Sequence, residues 1–272
     1  MTATQTHHAV SADGTRIAYE THGSGPALVV VDGALCTREL GPSRGLAEAL
    51  QDTFAVHVYD RRDRGASDTG ATPYAVEREV EDLAAVIAAA GGRAHVFGSS
   101  SGGALALEAA RRGVPVDGLV TYEVPFIVDD THAPNDLDLP QQLQALVDDG
   151  RRSDAVRLFM RTVGAPAPVV AVMRLLPVWR RLTAVAHTLP HDLSMVVPFE
   201  QGRPLPAGYY DDVRCPTLAI SGGKSPAYMT NAQAAVAAAV PDGELLVLAG
   251  ANHIIKAKLV APVVSAHLVP AG

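Results

Sequence analysis

The stretch Ala94-His95-Val96-Phe97-Gly98-Ser99-Ser100-Ser101-Gly102-Gly103-Ala104-Leu105-Ala106 limits what this chain can fold into more than any other. An apolar run with strand character, Ala94 to Phe97, meets a cluster of small residues. A helix-favouring run, Ala104 to Arg112, follows with no proline or spacer. Strand, sharp turn and helix in immediate succession are the outcome. Gly98-x-Ser100-x-Gly102 fits a G-x-S-x-G turn, which holds its serine in a strained backbone conformation with the hydroxyl clear of the sheet. Glycine is required two residues before and two after because strand and helix approach so closely that a β-carbon would collide. A Gly/Ser-rich turn that merely ends a strand is the plainer reading. Three consecutive serines also leave a second register, Ser99-x-Ser101-x-Gly103, in which Ser101 is the exposed residue. The Ser100 frame is preferred, since it alone has glycine on both sides.

The remaining chain supplies a sheet for that turn. Asp13-Gly14 between two short alternating runs signals an antiparallel hairpin within Val10 to Glu20. Ala27 to Val31 is a continuous apolar, mostly β-branched run, the pattern of a strand buried on both faces, and Phe54 to Tyr59 is a second. Gly45 to Leu50 reads as a short helix between them. In Pro73 to Ala90, Val76, Val80, Leu83 and Ile87 fall on one helical stripe, with Glu77, Arg78, Glu81 and Asp82 off it, and Gly91-Gly92 ends the helix. A strand at Gly118 to Tyr122 follows. Strand alternating with helix predicts an α/β fold with a doubly wound, mostly parallel sheet, whose sites lie at the C-terminal ends of the strands.

The alternation stops at Phe126. As far as Pro206 no strand is evident, whereas Leu139 to Val147, Ser153 to Val163, Val169 to Leu175 and Val178 to Ala186 show helical apolar spacing, segmented by prolines. This predicts a helical cap over 126–206, inserted into an α/β core formed by 1–125 and 207–272. The core resumes with a strand at Thr217 to Ile220, a helix from Asn231 to Ala239, a strand at Leu245 to Leu248 and a helix from Leu259 to Leu268.

At 272 residues and 48% hydrophobic content the chain can bury a sizeable core plus an insertion. A net charge of −7 without clustered Lys/Arg argues against a nucleic-acid partner. No apolar stretch approaches a membrane span, and Met1 to Val10 is polar with two histidines, unlike a secretory leader. A soluble, cytoplasmic protein acting on a small molecule, with no nucleic-acid or membrane partner, is expected; a homodimer is left open. Cys36 and Cys215 suggest neither a disulfide framework nor a zinc site.

Serine at neutral pH is a poor nucleophile and needs a base within hydrogen-bond reach, normally an imidazole. With the serine on such a turn, chain order places the acid next and the histidine after the last strand. His253, in Gly250-Ala251-Asn252-His253, occupies that position. The other nine histidines read as structural or solvated, His95 as a core or side-facing residue of its strand.

Four motifs, the glycine loop after Ala27 to Val31, Arg61-Arg62-x-Arg64-Gly65-x-Ser67, the Ser100 turn and His253, together resemble the α/β-hydrolase fold superfamily. The chain is similar to its capped, serine-nucleophile members, the actinobacterial ones in particular, over nearly its whole length. The resemblance implies hydrolase chemistry with no cofactor and no metal. It also implies an oxyanion hole built from the backbone N–H groups of Ser101 and Ala34. Two residues depart from the family pattern. Asp32 stands where many relatives have histidine, and its carboxylate is expected to turn away toward backbone or the Arg61/Arg62 guanidinium groups. Ser225, in Ser221-Gly222-Gly223-Lys224-Ser225, stands where relatives often carry the triad aspartate. Some α/β hydrolases take the acid from the preceding strand end, which makes Glu123 the candidate, with Asp129 and Asp130 as fallbacks.

The expected reaction is hydrolysis of an ester, thioester or lactone of a small, largely apolar molecule through an acyl-serine, a carboxylic ester first among them. Met160, Met173, Leu175, Trp179, Leu182, Met195 and Phe199 are candidates for an apolar lining in the cap. The rival readings are C–C bond hydrolysis, acyl transfer or cyclisation on the same scaffold, a non-catalytic ligand-binding protein, and a protein whose cap mediates association.

Overall fold

The computed structural model describes residues 5–70 and 73–269. The first four residues of the polar N-terminal stretch and the last three of the second core segment lie outside the described residues. Eight strands form one sheet in the order β1-β2-β4-β3-β5-β6-β7-β8. The strands are β1 (His7–Val10), β2 (Arg16–His22), β3 (Ala27–Val31), β4 (Ala55–Tyr59), β5 (Ala94–Ser99), β6 (Val116–Tyr122), β7 (Thr217–Gly222) and β8 (Gly243–Leu248). β1 and β2 pair antiparallel, as does β2 with β4, and every other pair is parallel.

Period-two alternation divides the core. Leu28, Val30, Phe97, Val120 and Ile220 face α1 (Ser43–Leu50) and α10 (Ala257–Leu268). Val29, Val31, Val96, Leu119 and Ala219 face α2 (Val76–Ala89), α3 (Ser101–Arg111) and α9 (Ala227–Ala239). Each fully buried side chain of this kind, Leu83 or Ile87 on α2 for example, contributes roughly 1.5–3 kcal/mol over its exposed state. Positive φ at Gly91 and Gly92 stops α2 at the expected place. The off-stripe residues of α2 do not all face solvent. Asp82 is buried against Arg62, and Glu79 is buried against Arg61.

Between β6 and β7 lie only helices: α4 (Leu139–Asp148), α5 (Arg152–Thr162), α6 (Ala167–Met173), α7 (Pro177–Val185) and α8 (Leu189–Val196), with 3₁₀ turns at Ala186–Thr188 and Val197–Phe199. α8 is the element that the sequence pattern does not predict. Pro190 reads as a breaker, yet it sits in the first turn of α8, where proline lacks no needed donor. β7 likewise runs two residues further than expected because Ser221 and Gly222 still pair with Val247 and Leu248.

Candidate active site

The four non-glycine residues with positive φ among the described ones are Leu35 (61°), Asp63 (65°), Ser100 (53°) and Glu123 (49°). Each follows the C-terminal end of a central strand, β3, β4, β5 and β6 respectively. Such conformations cost energy and persist where surrounding structure enforces them. At Ser100 the enforcement is visible. A β-carbon at Gly98 would lie 2.6 Å from the Gly102 carbonyl oxygen, and one at Gly102 would lie 2.3 Å from that of Val31. The Ser100 N–H donates to the Tyr122 carbonyl at 2.9 Å. Ser100 is half-buried and lines a cavity of about 660 Å³.

Ser101 points elsewhere. Its hydroxyl is buried and donates to Asp192 Oδ1 at 2.7 Å, so of the two serines it is the one already committed to a buried carboxylate. As the first residue of α3, Ser101 has a backbone N–H with no intrahelical acceptor. The loop after β3 lies against the same turn: a β-carbon at Gly33 would come 3.0 Å from that of Ser100. Ala34, next in that loop, also lines the cavity.

Glu123 is fully buried at the end of β6. Its Oε2 meets His253 Nδ1 at 2.9 Å, and its Oε1 accepts the Gly222 N–H at 2.7 Å. Burial alone would raise the Glu123 pKa. Hydrogen bonds from His253 and Gly222, the adjacent Ser225 hydroxyl and the His253 charge outweigh it and hold the carboxyl below its ordinary value. The Ser225 hydroxyl has no hydrogen-bond partner among the described residues, so the bonds from His253 and Gly222 hold this carboxylate in place. The Tyr122 hydroxyl donates to the Asn252 carbonyl at 2.6 Å and pins the loop that carries His253. The carboxylate partner places the Nδ1 proton and leaves Nε2 as the basic nitrogen. Half of the His253 side chain is exposed, and it lines the same cavity as Ser100. No hydrogen bond joins the Ser100 hydroxyl to the His253 ring.

The fallback acids lie elsewhere. Asp129 accepts from Thr131 and from Asn231 Nδ2, and Asp130 is exposed. The expectation for Asp32 is corrected. Its carboxylate is 5% exposed and neither oxygen has a hydrogen-bond partner among the described residues. Arg61 is committed to Glu79 and Asp192, and Arg62 to Asp13 and Asp82; only the Asp32 carbonyl receives an Arg61 N–H, at 3.4 Å. Burial therefore pushes the Asp32 pKa up to about 6, against the pull of Ser43, Arg64 and Arg61.

The cap residues proposed for the cavity are also corrected. Trp179, Leu182 and Met195 are buried and do not line the cavity, and Leu175 is 85% exposed. The cap instead lends the cavity Phe159, Thr162, Val163, Leu193, Val196 and Glu200. Two features of this region escape the sequence pattern. Asp192, at 0% exposure, receives Arg61 Nη1 at 2.6 Å, Arg64 Nη2 at 2.5 Å and the Ser101 hydroxyl, which ties α8 of the cap to the core behind the serine turn. Glu200 is buried at the cavity wall. The arginines of Arg61-x-x-Arg64 signal that a buried anion must meet them, but not which residue it is.

A mostly parallel sheet carrying a strained serine at its C-terminal rim, under inserted helices, is the architecture of an α/β hydrolase. The sequence matches the alpha/beta hydrolase family over residues 22–262, and the chain belongs to that family. It is similar to the solved structure of an alpha/beta hydrolase from Sphaerobacter thermophilus, with 42% identity, a TM-score of 0.86, and coverage of 95% of this chain and 98% of that one. A hydrolase from Pseudomonas aeruginosa shares the fold at 21% identity and a TM-score of 0.73, covering 97% of this chain and 98% of that one. An uncharacterized hydrolase, YraK of Bacillus subtilis, is 28% identical over 152 residues, which are 54% of this chain and 55% of that protein. The chain thus matches about half the length of that curated relative. Among the described residues no helix is long and apolar enough to cross a membrane.

Proposed function

We propose that this chain is a serine hydrolase that cleaves a carboxylic ester, thioester or lactone of a small, largely apolar molecule through an acyl-enzyme. The carrying observation is the 2.9 Å contact between Glu123 and His253 on the wall of the cavity into which the Ser100 turn is forced. Ser100 Oγ attacks the carbonyl while His253 Nε2 takes its proton. The backbone N–H groups of Ala34 and Ser101 receive the developing oxyanion. His253 then returns the proton to the leaving oxygen or sulfur, and the acyl-serine forms. Water attacks next: its proton passes to His253 and on to Ser100, releasing the acid. Glu123 holds the Nδ1 proton throughout and stabilises the imidazolium without being protonated.

Catalytic hydrogen bonds are often long in the empty enzyme and close with substrate, so the reading requires His253 to meet Ser100 on binding. A fluorophosphonate probe tests this. Stoichiometric labelling that is abolished in Ser100→Ala supports the activated serine. A folded protein that takes no label supports the ligand-binding reading, which the absence of a hydrogen bond between Ser100 and His253 favours.

A further inference from the structure

The polar wall of the cavity has an asymmetry that the proposed reaction does not use. Three carboxyl residues line it, Glu123, Asp192 and Glu200, and no arginine or lysine among the described residues does. Glu123 is held by His253, and Asp192 by Arg61 and Arg64. Glu200 has no ionic partner among the described residues. It closes the turn Val197–Phe199, where the chain leaves the cap, and is 4% exposed. Its Oε2 accepts the Asn135 side-chain N–H at 2.7 Å, while Oε1 accepts no hydrogen bond among the described residues. The Asn135 backbone N–H donates to the Glu200 carbonyl at 3.1 Å, so the segments entering and leaving the cap fix this carboxyl in place.

The neighbouring groups do not neutralise it. His132 lines the same cavity and spends Nδ1 on the Ala133 carbonyl, and the Tyr228 ring lies against His132 at a tilt of 45° with ring centroids 4.4 Å apart. Burial drives the Glu200 pKa up to about 7, moderated only by the Asn135 bond. A carboxyl this buried, with one oxygen open only toward the cavity, is costly to ionise unless something charged or hydrogen-bonding meets it there. A ligand carboxylate would face like charge and find no lining arginine or lysine to oppose it. A protonated amine would ionise Glu200 and pair with it.

We propose that Glu200 is a specificity-determining residue that receives an ammonium group of the substrate, so that amine-bearing esters are preferred over neutral and anionic ones. The inference rests on the serine-hydrolase reading and names the substrate class for its cavity.

The test uses isosteric esters in which only the terminal group changes. On the acyl side these are p-nitrophenyl 6-aminohexanoate, p-nitrophenyl heptanoate and the p-nitrophenyl monoester of pimelic acid. On the alcohol side they are 5-aminopentyl and hexyl butanoate. The ammonium ester of at least one series is expected to exceed its methyl isostere in kcat/KM by about tenfold or more, with the carboxylate ester slowest. Glu200→Gln, which keeps an acceptor for Asn135, is expected to bring that ratio to within about twofold of one, whatever the absolute rates. Should Glu200→Gln not fold, Glu200→Asp retracts the carboxyl and is expected to lower the same ratio. A probe-labelled, active enzyme with no ammonium preference in either series, or with a preference unchanged in the variant, overturns the proposal. Calorimetry of 6-aminohexanamide against heptanamide on Ser100→Ala protein keeps the two readings apart. Amine-selective binding without probe labelling removes the hydrolase reading alone. Equal binding of both amides by Ser100→Ala, where the wild-type protein does take the probe, removes the Glu200 assignment alone.

Discussion

Glu123 and His253 meet at 2.9 Å across 130 residues of sequence, with the carboxyl fully buried and in a left-handed backbone conformation. Ser225 beside it offers only a hydroxyl. A single carboxylate thus serves the ring, and nothing else nearby replaces its charge.

Glu123→Gln is therefore expected to lower kcat by roughly three to four orders of magnitude, because an uncharged partner neither fixes the tautomer nor stabilises the imidazolium. The side-chain oxygen that accepts the Gly222 N–H is retained, so circular dichroism and the unfolding midpoint should stay near wild type. Near-normal turnover with an intact fold would remove Glu123 from the mechanism.

Much of this site was legible in the sequence because its constraints are local. Two glycines flanking Ser100 report a steric limit that acts within five residues, and the loop after the last strand carries His253. Glu123 is what the family resemblance implies once Ser225 stands in the acid's usual place, since some α/β hydrolases take the acid from that strand end. The same method failed for Asp32 and Asp192, whose partners are decided by packing. Arg61 has carboxylates within reach from three directions, and only three-dimensional placement shows that it takes Glu79 and Asp192. Cap lining failed for a related reason: apolar spacing shows which face of a helix is buried, not whether it is buried against the cap or the cavity.

Asp192 should dominate the stability of the cap junction. Asp192→Ala leaves Arg61 and Arg64 buried without one of their counter-charges, and is expected to cost about 3–5 kcal/mol. Ser101→Ala removes one hydrogen bond to the same carboxylate and should cost only about 1–2 kcal/mol while retaining fluorophosphonate labelling. Urea unfolding of the two variants measures the difference. Comparable losses would mean that the ion network does not hold the cap.

Asp32 supplies a pH signature. Its folded pKa, near 6, lies above the unfolded value near 3.8, so the folded state holds the proton longer. Stability is highest with the carboxyl protonated, falls as pH rises from about 4 to 6, and stays lowered above that. Asp32→Asn removes the charge and should raise the unfolding free energy by roughly 1–3 kcal/mol at pH 8, with little effect at pH 4. A gain of equal size at both pH values would show that ionisation is not the cause.

The vacant acid position can be refilled. Ser225 lies on the loop after β7, against the carboxylate that His253 uses. In a Glu123→Ala background, Ser225→Asp should restore activity at least about tenfold over the single variant, since a carboxylate from that loop supplies the same charge to the imidazole. In the wild-type background the same change sets two carboxylates side by side. One must then hold a proton or weaken its bond to His253, so kcat should fall and its acid limb should move to higher pH. Full pH profiles of the three proteins decide the matter. If Ser225→Asp fails to rescue the alanine variant yet also leaves the wild-type profile unmoved, the loop does not approach His253, and Glu123 is then the sole carboxylate that can reach its ring.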